Sequence, residues 1–293
     1  MADVVGILQR SGGSATFADL QGLTSARSIR AALIDDRIRR VSKGVYALPE
    51  RPVSDLTVAR ANGGVLSHES AALHHGLQVL TTPLLPHVTI GRKRSRRQTE
   101  LECVLHWADV RAPGDATTPL RTVLDCARRL PFGEALAVAD SAVRLGKVHP
   151  DRLVEAAEAL SGPGRGAAIR ACRLVDGRSE SALESMLRAR VIEAGFTGFI
   201  PQYNISGDGF SARVDLANPF LRIVLEADSF AHHGTRGALR RDCRRYVNLA
   251  MRGWLLLRYS WEDVILDEDW VGESLGAVIA GHAARQRSLD AVA

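Results

Sequence analysis

The chain of 293 residues carries 38 Lys and Arg against 33 Asp and Glu, with 46% hydrophobic but only 5% aromatic residues; at roughly 100 to 200 residues per domain it holds two or three domains, each long enough to bury a core. No apolar run approaches the ~18 residues of a membrane span, and the start, with Asp3 in place of an apolar stretch, is not that of a signal peptide. Cys103, Cys126, Cys172 and Cys243 stand far apart without finger or disulfide spacing, so the expectation is a cytoplasmic protein with buried, reduced thiols.

Residues 1–178 hold 25 basic and 18 acidic groups (+7) and residues 179–293 hold 13 and 15 (−2), which marks the front as the part that meets a polyanion. Phe17 to Leu20 form a short helix, Gly22 breaks it, and Thr24 caps a second helix from Ser25 to Asp36 with Ile29 and Leu33 on one face and Arg27 and Arg30 exposed. A basic strand with Arg39 and Arg40 then turns at Lys43-Gly44 into the apolar Val45 to Leu48 and stops at Pro49. Helix, turn, helix and basic-tipped hairpin is a winged-helix order, with the second helix suited to the major groove and the tip to phosphates. The stretch Phe17 to Pro49, above all "SIRAALIDDRIRRVSKGVYALP", resembles the N-terminal winged helix of AbiEi-type antitoxins, DNA-binding autoregulators of bacterial abortive-infection systems. The resemblance implies a DNA-binding domain over residues 1–50.

Residues 51–178 are expected to form a mixed α/β middle domain, which also resembles the region after the wing in AbiEi-like proteins. "LSHESAALHHGL" reads as a helix, "LPHVTIG" and "LECVLHW" as strands, and "TPLRTVLDCARRL" and "FGEALAVADSAVRLGKV" as helices, with a last one from Ala167 to Val175. Between the strands lie Arg92, Lys93, Arg94, Arg96 and Arg97, a solvated turn or a phosphate contact. His68, Glu69, His74 and His75 invite a metalloprotease reading, but the residue four beyond His68 is Ala72, so the histidines read as packed or surface groups and no zinc is expected.

The third segment, 179–293, holds the most specific pattern. Ser179 and Ser181 cap a helix bearing Glu184, with Leu183, Leu187 and Val191 on one face. A strand from Ser211 to Ala217 contains Asp215, Asn218-Pro219 turns the chain, and the apolar strand Leu221 to Asp228 ends in Glu226-Ala227-Asp228 and reads as central in a sheet. The period of two puts Glu226 and Asp228 on one face and the hairpin brings Asp215 beside them. Converging carboxylates of this kind call for a hard cation, Mg²⁺ or Mn²⁺.

Asp-x(10)-Glu-x-Asp behind a Glu-bearing helix is the PD-(D/E)xK nuclease pattern with Asp228 at its lysine position. With the His pair that follows, Arg-Asp-x-x-Arg and Gly-Trp-x-x-Leu-Arg, the span Ser179 to Val264 resembles the very-short-patch-repair endonucleases. The resemblance implies a restriction-endonuclease-like α/β domain with a central mixed sheet. It makes Asp215 and Glu226 metal ligands, Asp228 a ligand or water-orienting group, Glu184 a ligand of a second metal or a group behind the ligands, and His232 or His233 the general base or leaving-group acid in place of lysine. It gives Arg241, Arg244 and Arg245 to DNA phosphates or to the acids, on a helix whose Leu239, Cys243 and Tyr246 face inward. The zinc site of those enzymes has no counterpart, since Cys243 is the only cysteine of this segment, and Ser229 replaces a usual glycine.

The expectation is thus a nucleoid-associated, multidomain α+β and α/β protein that hydrolyses phosphodiester bonds in double-stranded DNA in repair or phage defence. The alternative is a DNA-binding regulator or antitoxin-like protein with an inactive nuclease fold.

Overall fold

The computed structural model describes residues 3–290 other than 96, 98, 110–113, 208 and 229–235. It is a mixed α/β chain with several sheets, and it divides into two compact units, residues 1–77 with 81–125 and residues 78–80 with 126–293. No helix of the described residues is long and apolar enough to cross a membrane.

The first unit begins with α1 (Val4–Arg10), β1 (Ser14–Thr16), α2 (Phe17–Gln21), α3 (Ala26–Ile34), β2 (Arg39–Ser42) and β3 (Val45–Ala47). Ser25, one residue later than expected, caps α3 by accepting from the Ser28 amide at 3.1 Å. The hairpin gains a third, unexpected strand: β1 pairs antiparallel with β3 in the order β1-β3-β2. Its core joins Ile7 and Leu8 of α1 to Leu20, Ile29, Ile38 and Tyr46, so the i, i+3, i+4 pattern of Val4, Ile7 and Leu8 makes α1 part of this fold.

The expected boundary at residue 50 does not separate compact units. Thr57 Oγ1 on α4 (Asp55–Asn62) donates to Ser14 Oγ at 2.9 Å, and Arg60 donates to the Ser11 carbonyl at 3.1 Å while pairing with Asp115 at 2.8 Å. Gly63 ends α4 in a left-handed turn (φ 76°), and a Cβ on Gly64 would meet the Thr89 carbonyl at 2.5 Å, so this turn admits β4 (Val65–Leu66) only with glycine. There follow α5 (His68–His74), β5 (His87–Gly91) and β6 (Val104–Ala108), with β4 antiparallel and β6 parallel to β5. The expected helix from Leu66 to Leu77 is therefore shorter, because Leu66 belongs to β4.

The unit division falls within α6 (Pro119–Ala127). Beyond it come α7 (Phe132–Arg144), α8 (Pro150–Glu158), α9 (Arg165–Arg173) and α10 (Ala182–Glu193), then β7 (Ile200–Gly207), β8 (Phe210–Asn218), β9 (Ile223–Asp228), α11 (Arg236–Met251), β10 (Leu255–Ser260), α12 (Trp261–Ile265) and α13 (Trp270–Asp290). The sheet order is β10-β9-β8-β7, antiparallel except for the parallel pair β9 and β10. Leu187, Val191, Tyr259, Val264 and Leu275 pack with Leu216 and Leu225, while Leu249 of α11 packs with Val214 and Val224. The strand read as central is covered on both faces.

The expected boundary near 178 lies inside the second compact unit, where a buried charge pair joins its two sides. Arg188 of α10 reaches Asp140 of α7 at 2.7 Å, with only 8% and 1% of the two side chains exposed. Ser185 Oγ donates to the same carboxylate at 2.8 Å, the Asp176 amide donates at 2.7 Å, and Arg188 also donates to the Leu174 carbonyl at 2.8 Å. Burial pushes the Asp140 carboxyl up and Arg188 opposes that shift. Replacing Arg188 by Met strands a buried carboxylate and is expected to lower the stability of the second unit by about 3–5 kcal/mol, most of it recovered by Asp140→Leu in the same chain; denaturant unfolding of the single and double variants reads both.

Candidate active site

The ladder between β8 and β9 ends at Leu216 opposite Leu225, one residue short of Asp215 and Glu226. Where the strands part, the Asp215 side chain replaces the ladder: its Oδ2 accepts from the Ala227 amide at 3.0 Å. The parallel partner β10 places Arg258 opposite Glu226, and its guanidinium pairs closely with Asp228 while lying 4.8 Å from the Tyr246 ring centre. From α11, Arg245 reaches Glu226 Oε1 at 2.5 Å and donates to the Arg213 carbonyl at 2.7 Å. On α10, capped by Ser181, Glu184 Oε2 accepts from the Glu180 amide at 2.8 Å and from the Gln202 amide at 2.7 Å.

These groups line an open pocket of about 430 Å³ at the ends of β9 and β10. Its wall holds six carboxylates (Glu180, Glu184, Asp215, Glu226, Asp228 and Asp242) and two guanidiniums (Arg245 and Arg258). The electrostatic result is clearest at Asp215, whose carboxyl is raised from 3.8 to about 7 by burial first, then by the charge of Glu184, against the Ala227 hydrogen bond. Burial also raises Glu226, and Arg245 draws it back. An oxygen-rich, partly desolvated set of carboxylates that burial and mutual repulsion push toward the protonated form has the chemistry to accept a hard divalent cation.

Asp215, Glu226, Asp228 and Glu184 are therefore brought together as expected. His232 and His233 lie outside the described residues, as does Arg96. Arg245 pairs with an acid, whereas Arg241 and Arg244 are exposed on α11. Tyr246 lines the pocket with Asp242 and Arg245, but Cys243, between them in sequence, is exposed, contrary to its expected inward position, because the pocket takes the other side of this turn of α11. Cys126 and Cys172 are buried as expected.

Gln202 was not anticipated. It sits in β7 with φ 50°, a left-handed backbone that an ordinary strand residue avoids, and it holds Glu184. The signal in the sequence is a lone polar residue in Ile-Pro-Gln-Tyr. Arg258 was read only as part of a motif, and its partner emerges from the β9 and β10 register.

In the first unit, Arg27 and Arg30 are exposed on α3, Arg39 and Arg40 on β2, and Lys43 at the turn. Arg92, Lys93, Arg94 and Arg97 are also exposed, with Arg92 3.7 Å from Asp109. Lys43 and Arg97, far apart in sequence, line one groove, and Arg94 and Arg97 line another with Arg60. Drawn at the boundary between compact units, the charges are +4 (16 basic, 12 acidic) and +1 (22 basic, 21 acidic), a weaker division than +7 and −2.

No family model matches the chain. It is 34% identical over 270 residues to the uncharacterized proteins MT2308 and Rv2248 from two strains of Mycobacterium tuberculosis, covering 85% of this chain and 93% of each relative. Among solved structures, the RV2827C protein from Mycobacterium tuberculosis aligns with a TM-score of 0.34 and 14% identity over 70% of this chain and 87% of that one, a likeness too slight to bear on fold or function.

The raised Asp215 carboxyl makes a pH prediction. A proton held more tightly in the folded than the unfolded state contributes stability below pH ~4, and that contribution is lost as pH rises through about 7. Asp215→Asn keeps an acceptor for Ala227 and removes the titration. Without divalent cations it is expected to match the wild type near pH 4 and exceed it by roughly 2–4 kcal/mol at pH 8 in denaturant unfolding.

Proposed function

We propose that this chain, which belongs to the same family as those two mycobacterial proteins, is a metal-dependent endonuclease of double-stranded DNA. The observation that carries the reading is the acid cluster of Asp215, Glu226, Asp228 and Glu184 around one pocket, where burial and then the charge of Glu184 raise the Asp215 carboxyl to about 7. The sheet order, the Glu-bearing helix and the acid spacing support a nuclease domain similar to the very-short-patch-repair enzymes. The capped α3 and the basic β2–β3 hairpin support a winged helix of AbiEi type.

In this reading Asp215 and Glu226, with Asp228, hold Mg²⁺ or Mn²⁺, and Glu184 stands behind them. Such a cation supplies Lewis acidity at the scissile phosphate and makes water a nucleophile near neutral pH. The chain's own groups do the rest. Gln202 fixes Glu184 through its amide, limiting the directions from which the cluster accepts a cation. Arg245 and Arg258, which pair with Glu226 and Asp228, are the guanidinium donors in the pocket that would meet a phosphate. His232 or His233 serves the leaving oxygen as proton donor. Arg27, Arg30 and Lys43, with Arg94 and Arg97, hold the duplex through its phosphates.

The test is nicking of plasmid and mismatched duplexes in Mg²⁺ or Mn²⁺. Asp215→Asn and Glu226→Gln are expected to reduce cleavage to background with DNA binding retained, and Gln202→Leu to reduce it about 10- to 100-fold. Wild-type protein that cuts no DNA in either cation ends the enzyme reading. Replacing Arg27 and Arg30 by Gln is expected to weaken binding and flatten its dependence on log salt by about 0.9 per lost contact, measured by gel shift across salt concentrations.

A second reading has its own support: Arg245 and Arg258 already neutralise Glu226 and Asp228, as they would in a DNA-binding regulator with a silent nuclease fold. Calorimetric titration with Mn²⁺ separates the two. Binding that Asp215→Asn abolishes belongs to the enzyme, and absence of binding to the regulator.

A further inference from the structure

A different set of ligating side chains lies in the first unit. Asp140, Asp176 and the buried cysteines have structural partners or surroundings that explain them, whereas three histidines and a glutamate bring four potential ligands to one place. His68 opens α5, His87 opens β5, and His106 lies on β6. One ligating nitrogen from each falls within 4.8 Å of the others. His87 and Thr89 share a face of β5, and the parallel register sets His106 opposite Thr89, so the two strand histidines point to the same side. Helix α5 brings His68 over them, its ring stacked on His106 with centres 3.8 Å apart.

The nitrogens are directed rather than merely close. His87 Nδ1 stands 3.2 Å from His106 Nε2 and 3.5 Å from Glu69 Oε2. His68 Nδ1 is 3.0 Å from Ser67 Oγ, an outer hydrogen bond that orients the ring and presents Nε2 as the ligating atom. His68, His87 and Glu69 are 9%, 3% and 6% exposed. Glu69 Oε2 is buried and makes no hydrogen bond, a costly condition for a carboxylate that a cation beside His87 would relieve.

The backbone adds an independent observation. His68 has φ 49°, a left-handed conformation at the first residue of a helix, where it costs energy and brings no capping bond, since Ser67 makes none through its side chain. That geometry sets the imidazole over the sheet.

We infer that His68, His87, His106 and Glu69 form a binding site for a single late first-row divalent cation, Zn²⁺ being the natural occupant. Imidazole is a borderline donor that suits Zn²⁺ and leaves Mg²⁺ and Mn²⁺ to oxygen sites, so this centre and the acidic pocket select different ions. The separation of 3.2 Å between two of its nitrogens is close to the edge of a tetrahedron with metal–nitrogen bonds of about 2.0–2.1 Å. A helix spacing of four cannot reveal such a set, since these ligands come from a helix start and two parallel strands.

The test uses the full chain carrying Asp215→Asn and Glu226→Gln, so that the acidic pocket does not contribute. After chelator treatment it is titrated calorimetrically with Zn²⁺ and its zinc content is measured by elemental analysis. One Zn²⁺ per chain is expected, with a rise in Tm on loading and at least a 100-fold loss of affinity in His87→Gln and in His106→Gln. No stoichiometric zinc, or zinc retained in both histidine variants, overturns the site. Should these variants not fold, Co²⁺ titration of the parent chain decides: intense visible absorption from a four-coordinate, nitrogen-rich centre supports the site, and the weak spectrum of an octahedral ion overturns it.

Discussion

The pairing of Asp140 with Arg188 is the constraint on which the candidate active site rests. Two charges taken out of water are tolerable only with good partners, and here Ser185 and the Asp176 amide serve the carboxylate while the Leu174 carbonyl takes one Arg188 donor. The geometry this imposes fixes α10 against α7. Glu184 stands one helical turn before Arg188, on the same row of α10, so the position of one wall of the acidic pocket is set by a contact outside it. The helices from α7 to α9 share one compact unit with the acid-bearing sheet and brace the helix that carries Glu184.

What was legible in the sequence was what local periodicity encodes. The alternation in β8 and the apolar run of β9 located Asp215, Glu226 and Asp228 and put them at one end of a central hairpin. Caps and breaks located α2 and α3 within a residue or two, because a serine or threonine before a helix acts on amides only two or three positions away. The domain boundaries were not legible. A change in charge sign near residue 178 has no bearing on which helices pack, and it is the Asp140 pair, bridging 48 residues, that decides. Gln202 and Arg258 were hidden for the same reason, since each acquires its role from a partner on another element.

The histidines show the same limit more sharply. His87 and His106 each occupy a mainly apolar strand where a polar residue reads as incidental, and the parallel pairing of β5 with β6 brings them together. Two clusters of contrasting donor chemistry result, one of carboxylates with a proton held at about 7 and one of imidazoles around a buried glutamate. In both, a non-glycine residue with a left-handed backbone, Gln202 in one and His68 in the other, aims the side chain that completes the set.

The parallel pairing of β9 with β10 bears on the order of folding. Strands β7, β8 and β9 are joined by short turns and pair with their neighbours in sequence, so the hairpins bearing Asp215, Glu226 and Asp228 close at little entropic cost. Strand β10 pairs only after the chain has crossed through α11, a longer closure and a slower one. Arg245 rides on that crossover and Arg258 on the strand it delivers. The carboxylates thus lie on the short-range part of the sheet and their guanidinium partners on the long-range part, so the like charges and the cations that oppose them are joined by the contacts of highest sequence separation.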